Sequence, residues 1–122
     1  SDVDRMIKST AVTDGKTVEQ SIPIDPAAAG KRAADQYVTM LMGYPVHTSR
    51  EDGSKEARAR ALSSAIHAKR VFLINNGLTN TVLDEFNAFP VGSHDDIVDA
   101  VSRAFNRATE SLTNTFDIQG LL

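Results

Sequence analysis

The stretch Ala88-Phe89-Pro90-Val91-Gly92-Ser93-His94-Asp95-Asp96-Ile97-Val98-Asp99-Ala100 sets a histidine and three aspartates where a glycine-containing turn gives way to an amphipathic helix. Carboxylates this crowded repel one another unless water, cations or a metal compensates. A helix N-terminus, for its part, favours negative charge. The stretch therefore reads either as a capped helix start with solvated acids or as half of a divalent-metal site. Asp95 and Asp99 stand four apart and Asp96 and Asp99 three apart, so a helix gives them shared faces. Carboxylates with one imidazole suit Mg²⁺ or Mn²⁺ better than zinc.

Working outward, the helix that opens near Asp95 or Asp96 is expected to run to about Thr113. Its apolar stripe is Ile97, Val101, Ala104, Phe105, Ala108 and Leu112, and Phe116–Leu122 follows as a weakly specified tail. Upstream, Thr79–Asn87 reads as a short helix with Val82, Leu83 and Phe86 inward. Val71-Phe72-Leu73-Ile74 reads as a strand, its unbroken apolar run predicting burial on both faces. Lys55–Lys69 is a helix with a thin stripe of Ala57, Ala61, Leu62, Ala65 and Ile66, preceded by a polar loop from Arg50 to Ser54. Tyr44–His47 is a second short strand.

Pro26 opens a helix to about Met42, a good use of proline in a first turn, and Gly43 stops it. Its apolar set is Ala29, Ala33, Tyr37, Met40 and Leu41. Ser21–Asp25 is a strand that ends in an acid, although Pro23 forfeits a ladder donor. Val3–Ala11 reads as the end of a helix with Met6, Ile7 and Ala11 on one face. Alternation of this kind predicts an α/β fold with parallel strands and flanking helices. Three short strands make a thin sheet, so further strands are expected before residue 1. Residues 1–122 are then one incomplete domain.

Composition narrows the function. With 122 residues the chain buries a core without covalent staples. It has no cysteine, which excludes disulfides and thiolate zinc sites and fits a reducing cytoplasm. No apolar run approaches the roughly 20 residues of a membrane span, and Ser1–Arg5 lacks the apolar core of a signal peptide. The net charge is −3, so contact with DNA needs a local basic patch or bridging metal ions.

Three further features carry chemistry. Asp25 ends a strand at the sheet edge where open α/β sheets bind ligands; on local grounds alone it reads first as a helix cap. Ala27-Ala28-Ala29-Gly30-Lys31-Arg32 resembles a phosphate-binding Walker A loop, but Asp25 stands at the first glycine's place and Arg32 replaces the hydroxyl residue. An acid there excludes a phosphate cradle. Lys31 and Arg32 remain a solvated helix face or contacts to a phosphate backbone. Lys55, Arg58, Arg60, Lys69 and Arg70, opposed by Glu56 alone, make residues 55–70 locally basic. They read as a solvated face or as a track for a DNA backbone. His47 and His67 lack neighbouring acids and read as surface or packing histidines.

Three stretches resemble the C-terminal nuclease domain of tailed-phage large terminase subunits. They are Ile24-Asp25-Pro26-Ala27-Ala28-Ala29-Gly30-Lys31, then Lys55-Glu56-Ala57-Arg58-Ala59, then Leu83–Pro90 with Gly92 and His94–Ala100. The resemblance covers about residues 5 to 110, and its closing signature is the specific part. It implies an RNase H-like fold that cuts concatemeric viral DNA during genome packaging with one or two divalent ions, Mg²⁺ or Mn²⁺. Carried over, Asp25 is the second acid of the site, and Asp95 or Asp96 is the third, with His94 beside it. Lys31, Arg32, Lys55 and Arg58 become DNA contacts. Implied partners are double-stranded DNA, the portal and the small terminase subunit, in the cytoplasm of a bacterial host carrying the phage or prophage.

The family's first acid lies on an early hairpin strand, which no segment before Asp25 supplies. The resemblance therefore implies a metal-dependent endonuclease in the full-length protein and an inactive chain in isolation. The alternative is a non-catalytic module that binds DNA or docks on a packaging component. A flavodoxin-like regulatory domain with an acidic pocket is a weaker third reading, since it requires early strands.

Overall fold

A pair of short parallel strands and a trio of helices organise the computed structural model. It describes the backbone of residues 1–51 and 53–121 and their side chains other than those of 28 and 111–121. The elements are α1 (Asp2–Asp14), β1 (Gln20–Ile24), α2 (Ala28–Met40), β2 (Val46–Arg50), α3 (Lys55–His67), α4 (Thr79–Ala88) and α5 (Asp96–Leu121). They form two compact units, Ser1–Asp52 and Gly53–Leu122.

In the first unit β1 and β2 pair in parallel, from Gln20 opposite Val46 to Ile24 opposite Arg50. Parallel neighbours need a crossover, and α2 supplies it. The Gln20 N–H donates to the Pro45 carbonyl and the Glu51 N–H to the Ile24 carbonyl, both at 2.9 Å, which extends the ladder at each end. Strand β2 starts two residues later than the pattern predicts and takes in Arg50. Pro45 has no N–H and enters the ladder only as an acceptor, so regular pairing begins after it.

Helix α2 begins at Ala28, two residues beyond Pro26, and ends before a glycine in a left-handed conformation, Gly43. Gly30 is buried, and a Cβ there would overlap the Asp25 backbone carbonyl. The glycine thus lets the helix start pack directly on the end of β1. Among the described residues of this unit, Ala11 and Leu41 are the buried hydrophobic side chains. Helix α1 carries its own cap, the Ser1 hydroxyl accepting from the Asp4 N–H at 3.2 Å.

In the second unit the Ser54 hydroxyl caps α3 by accepting the Ala57 N–H at 3.1 Å. The helix ends in a paired turn: Lys69 N–H donates to the Ile66 carbonyl at 2.9 Å and Arg70 N–H to the Ala65 carbonyl at 3.0 Å. Lys69 adopts the left-handed conformation, φ 58°, that this ending requires.

Helices α3 and α5 meet on faces rotated from those the apolar pattern predicts. Buried on α3 are Ala59 and Leu62, flanked by half-buried Lys55, Arg58 and Ala65; Ala57, Ala61 and Ile66 are exposed. Buried on α5 are Val98, Asp99 and Ser102, while Val101, Ala104 and Ala108 are exposed. The side chain of Leu112 lies outside those described.

Polar bonds fix this choice of faces. The Ser102 hydroxyl donates to the Val98 carbonyl at 2.7 Å, and the Asn106 amide donates to the Arg58 carbonyl at 3.0 Å. Helix α5 continues to Leu121 through the segment expected to be a loose tail; residue 122 lies outside the described residues.

The expected third strand is absent. Residues 71–74 have no regular structure and are exposed, Phe72 at 87%. An apolar run becomes a strand only against a partner ladder, and the described residues of the second unit contain no strand.

Candidate functional site

Each half of the expected site can be built from its own unit. In the first, the end of β1 delivers Asp25 to the carboxyl edge of the parallel pair, where ligands of such sheets gather. Its Oδ1 accepts the Ala27 N–H at 2.8 Å, so the acid orders the turn into α2. Asp25 is exposed, and among the described residues its carboxylate makes no other hydrogen bond. The helix cap itself is Ala27, whose methyl group offers no hydrogen-bond acceptor. Glu51 follows β2 as Asp25 follows β1 and so lies on the same edge. The sequence pattern leaves Glu51 in a polar loop; only the strand register reveals the pairing.

In the second unit the acids at the start of α5 divide by partner. Asp99 is buried and engaged from two sides. Arg58 grips it bidentately, Nε to Oδ1 at 2.9 Å and Nη2 to Oδ2 at 3.1 Å, and Arg103 Nε lies 3.4 Å from Oδ2. The Arg58 Nη1 also donates to the Gly53 carbonyl at 2.9 Å. Burial pushes the Asp99 carboxyl up; the hydrogen bond from Arg58 and the charges of Arg103 and Arg58 outweigh it and hold the group below the usual carboxylate range.

Asp95 and Asp96 face a different cation. Lys55 Nζ lies 2.7 Å from Asp95 Oδ1 and 3.9 Å from Asp96 Oδ1. The bond to Asp95 raises the Lys55 ammonium above its ordinary value against an opposing desolvation, with the charges of Asp95, Asp96 and Asp99 adding to the rise. The Asp96 side chain is fully exposed. Neither acid caps the helix through its side chain. That role falls to Glu85 of α4, whose Oε2 accepts the Val98 N–H at 3.1 Å. The sequence offered one signal for Glu85, its place in the closing signature. His94 is exposed just before the helix.

The expected DNA contacts also divide. Lys31 and Arg32 are exposed on α2. Lys55 and Arg58 instead spend their charge on Asp95 and Asp99. A cleft of about 580 Å³ beside α3, lined by Arg60, Leu62, Ile66, His67, Phe86 and Asn87 among others, holds none of the expected site residues. Among the described residues no three His, Asp or Glu side chains stand close enough to hold a metal ion.

With an acid ending a parallel strand and paired acids opening the last helix in view, the comparison with known families becomes interpretable. The sequence model of the terminase RNaseH-like domain matches residues 1–108. The chain belongs to this family. No curated protein and no solved structure matches it. The five helices and parallel strand pair fit a fragment of an RNaseH-like fold. The terminase domain is thus a nuclease-type module of α/β architecture. Among its described residues no helix is long and apolar enough to cross a membrane.

Proposed function

We propose that this terminase RNaseH-like domain supplies the second and third acids of a metal-dependent endonuclease that cuts concatemeric viral DNA during packaging. The observation that carries this reading is Asp25 at the carboxyl end of a parallel strand, in a chain whose residues 1–108 match the family.

The donor set fits a hard divalent ion. Asp95 and Asp96 offer oxygen ligands, and in the structure they already gather around one cation, the Lys55 ammonium. Asp25, Asp95 and Asp96 would hold Mg²⁺ or Mn²⁺, with His94 beside them. When bound, such ions supply a hydroxide nucleophile and stabilise the leaving oxygen. The protein's own part is to fix the carboxylates. Glu85 and the Arg58–Asp99 pair anchor the first turn of α5 that bears Asp95 and Asp96. Lys31 and Arg32 are available to phosphates, as the net charge of −3 requires of local patches. The reading carries with it double-stranded DNA, portal and small subunit as partners, in the host cytoplasm.

The test is plasmid nicking in Mg²⁺ or Mn²⁺ by the full-length protein. Asp25→Asn and Asp96→Asn should each reduce cleavage by more than the roughly 10–100-fold typical of an outer-shell partner. Melting should change little, because Asn preserves shape and local hydrogen bonding. Normal cleavage by both variants refutes the site. DNA binding without cleavage by the parent favours the non-catalytic docking module.

A further inference from the structure

We propose that Lys55 is the built-in counter-ion of the Asp95–Asp96 pair and that its ammonium competes with a divalent cation for those carboxylates. This inference rests on the reading of Asp95 and Asp96 as metal ligands.

The argument begins with where Lys55 stands. It is the first residue of α3, directly after the Ser54 cap. A cation there meets the positive end of the helix dipole, the least favourable place on the helix for it. The start of α5 presents a second positive helix end to the same ammonium. Local helix energetics therefore do not explain the lysine. Its partners do: Asp95 Oδ1 at 2.7 Å and Asp96 Oδ1 at 3.9 Å.

Asp99 gives the contrast. Two guanidinium groups meet its single carboxylate, and its side chain is only 10% exposed. It is saturated and shielded. At Asp95 and Asp96 one ammonium meets two carboxylates, which leaves the group with a net negative charge. Asp96 is open to solvent, so an ion from solution can reach it. The charge deficit and the access coincide at these two acids.

An ammonium hydrogen-bonded to Asp95 occupies an oxygen that an inner-sphere cation needs. Arrival of the ion therefore breaks the Lys55 contact, and removing the ammonium should tighten binding. A unit charge about 5 Å from a divalent ion at a solvated, salt-screened site changes affinity by roughly 3–10-fold.

Mn²⁺ binding to the purified full-length protein, followed by electron paramagnetic resonance of the free ion, tests this. Lys55→Met keeps the aliphatic length without charge, and Lys55→Gln serves as a second neutral variant should Met perturb folding. Both should bind Mn²⁺ about 3–10-fold more tightly than the parent, whereas Lys55→Arg, which keeps the charge, should stay within about twofold. Asp96→Asn should weaken binding in every background.

If Asp96→Asn weakens binding while both neutral variants match the parent or bind less tightly, the competition is refuted and the metal reading stands. If Asp96→Asn leaves binding unchanged, or no form binds Mn²⁺, the metal reading fails and takes this inference with it.

Discussion

Asp99 shows how one residue type serves two purposes within a single turn of helix. Arg58 and Arg103 neutralise it where it is only 10% exposed, against 100% for Asp96. Removing one member of a buried pair leaves the other charge uncompensated. Asp99→Asn should therefore destabilise the protein by about 2–4 kcal/mol at pH 7, somewhat below the range for fully enclosed pairs.

The pH dependence follows from the lowered carboxyl of Asp99. A group held below its unfolded value stabilises the fold fully above that value, about 3.9 for Asp. The stabilisation disappears as pH falls through the native value. Urea denaturation of parent and Asp99→Asn should show a gap that is constant from pH 7 to about 5 and narrows below about 4. A gap equally wide at pH 3 would mean that the charge of Asp99 is not its source. The acid cluster itself was legible in the sequence; its division was not. Arg58 lies 41 residues from Asp99, and nothing local to either distinguishes a buried pair from two solvated charges.

At the scale of elements, the helices stood close to where caps, proline and periodicity put them, because those signals are local. Pro26 before α2 is one such signal, and Gly43 after it is another. The faces of α3 and α5 were misread for a reason that periodicity cannot supply. Alanine marks a face only weakly, and the polar groups on the contact faces are satisfied, Arg58 by Asp99 and Asn106 across the contact and the Ser102 hydroxyl by the Val98 carbonyl of its own helix. The strand expected at 71–74 failed similarly, since a ladder is a property of two segments and not of one.

The end of α3 holds a prediction of its own. Lys69 sits at φ 58° in a turn that favours glycine. The left-handed conformation costs a side-chain-bearing residue about 1–2 kcal/mol, whereas glycine's extra unfolded-state entropy takes back about 0.5–1 kcal/mol. Lys69→Gly should stabilise the second unit by roughly 0.5–1 kcal/mol in chemical denaturation. Lys69→Ala should not, since alanine keeps the strain. Equal effects from both substitutions would mean that the backbone conformation is not what limits this helix end.

For the molecule as a whole, the candidate ligands are shared between the units, Asp25 in Ser1–Asp52 and Asp95 with Asp96 in Gly53–Leu122. On the proposed metal reading, Mn²⁺ held by Asp95 and Asp96 stabilises the native second unit, because a ligand that binds only the folded form stabilises what it binds. The effect is measurable on the backbone of α5. At Mn²⁺ ten times its dissociation constant the bound form gains about 1.4 kcal/mol, roughly a tenfold slowing of amide exchange for groups that exchange only from the unbound state. In the parent that slowing should reach the first turn of α5, where the Val98 N–H already bonds Glu85.

Asp96→Asn leaves the Glu85 contact untouched. It should nevertheless remove most of the metal-induced slowing at Val98 and Asp99, while exchange without metal stays at the parent's rate. Were Mn²⁺ to protect α5 equally in the parent and in Asp96→Asn, the exposed carboxylate of Asp96 would be no ligand, and its role would reduce to the long-range contact with the Lys55 ammonium.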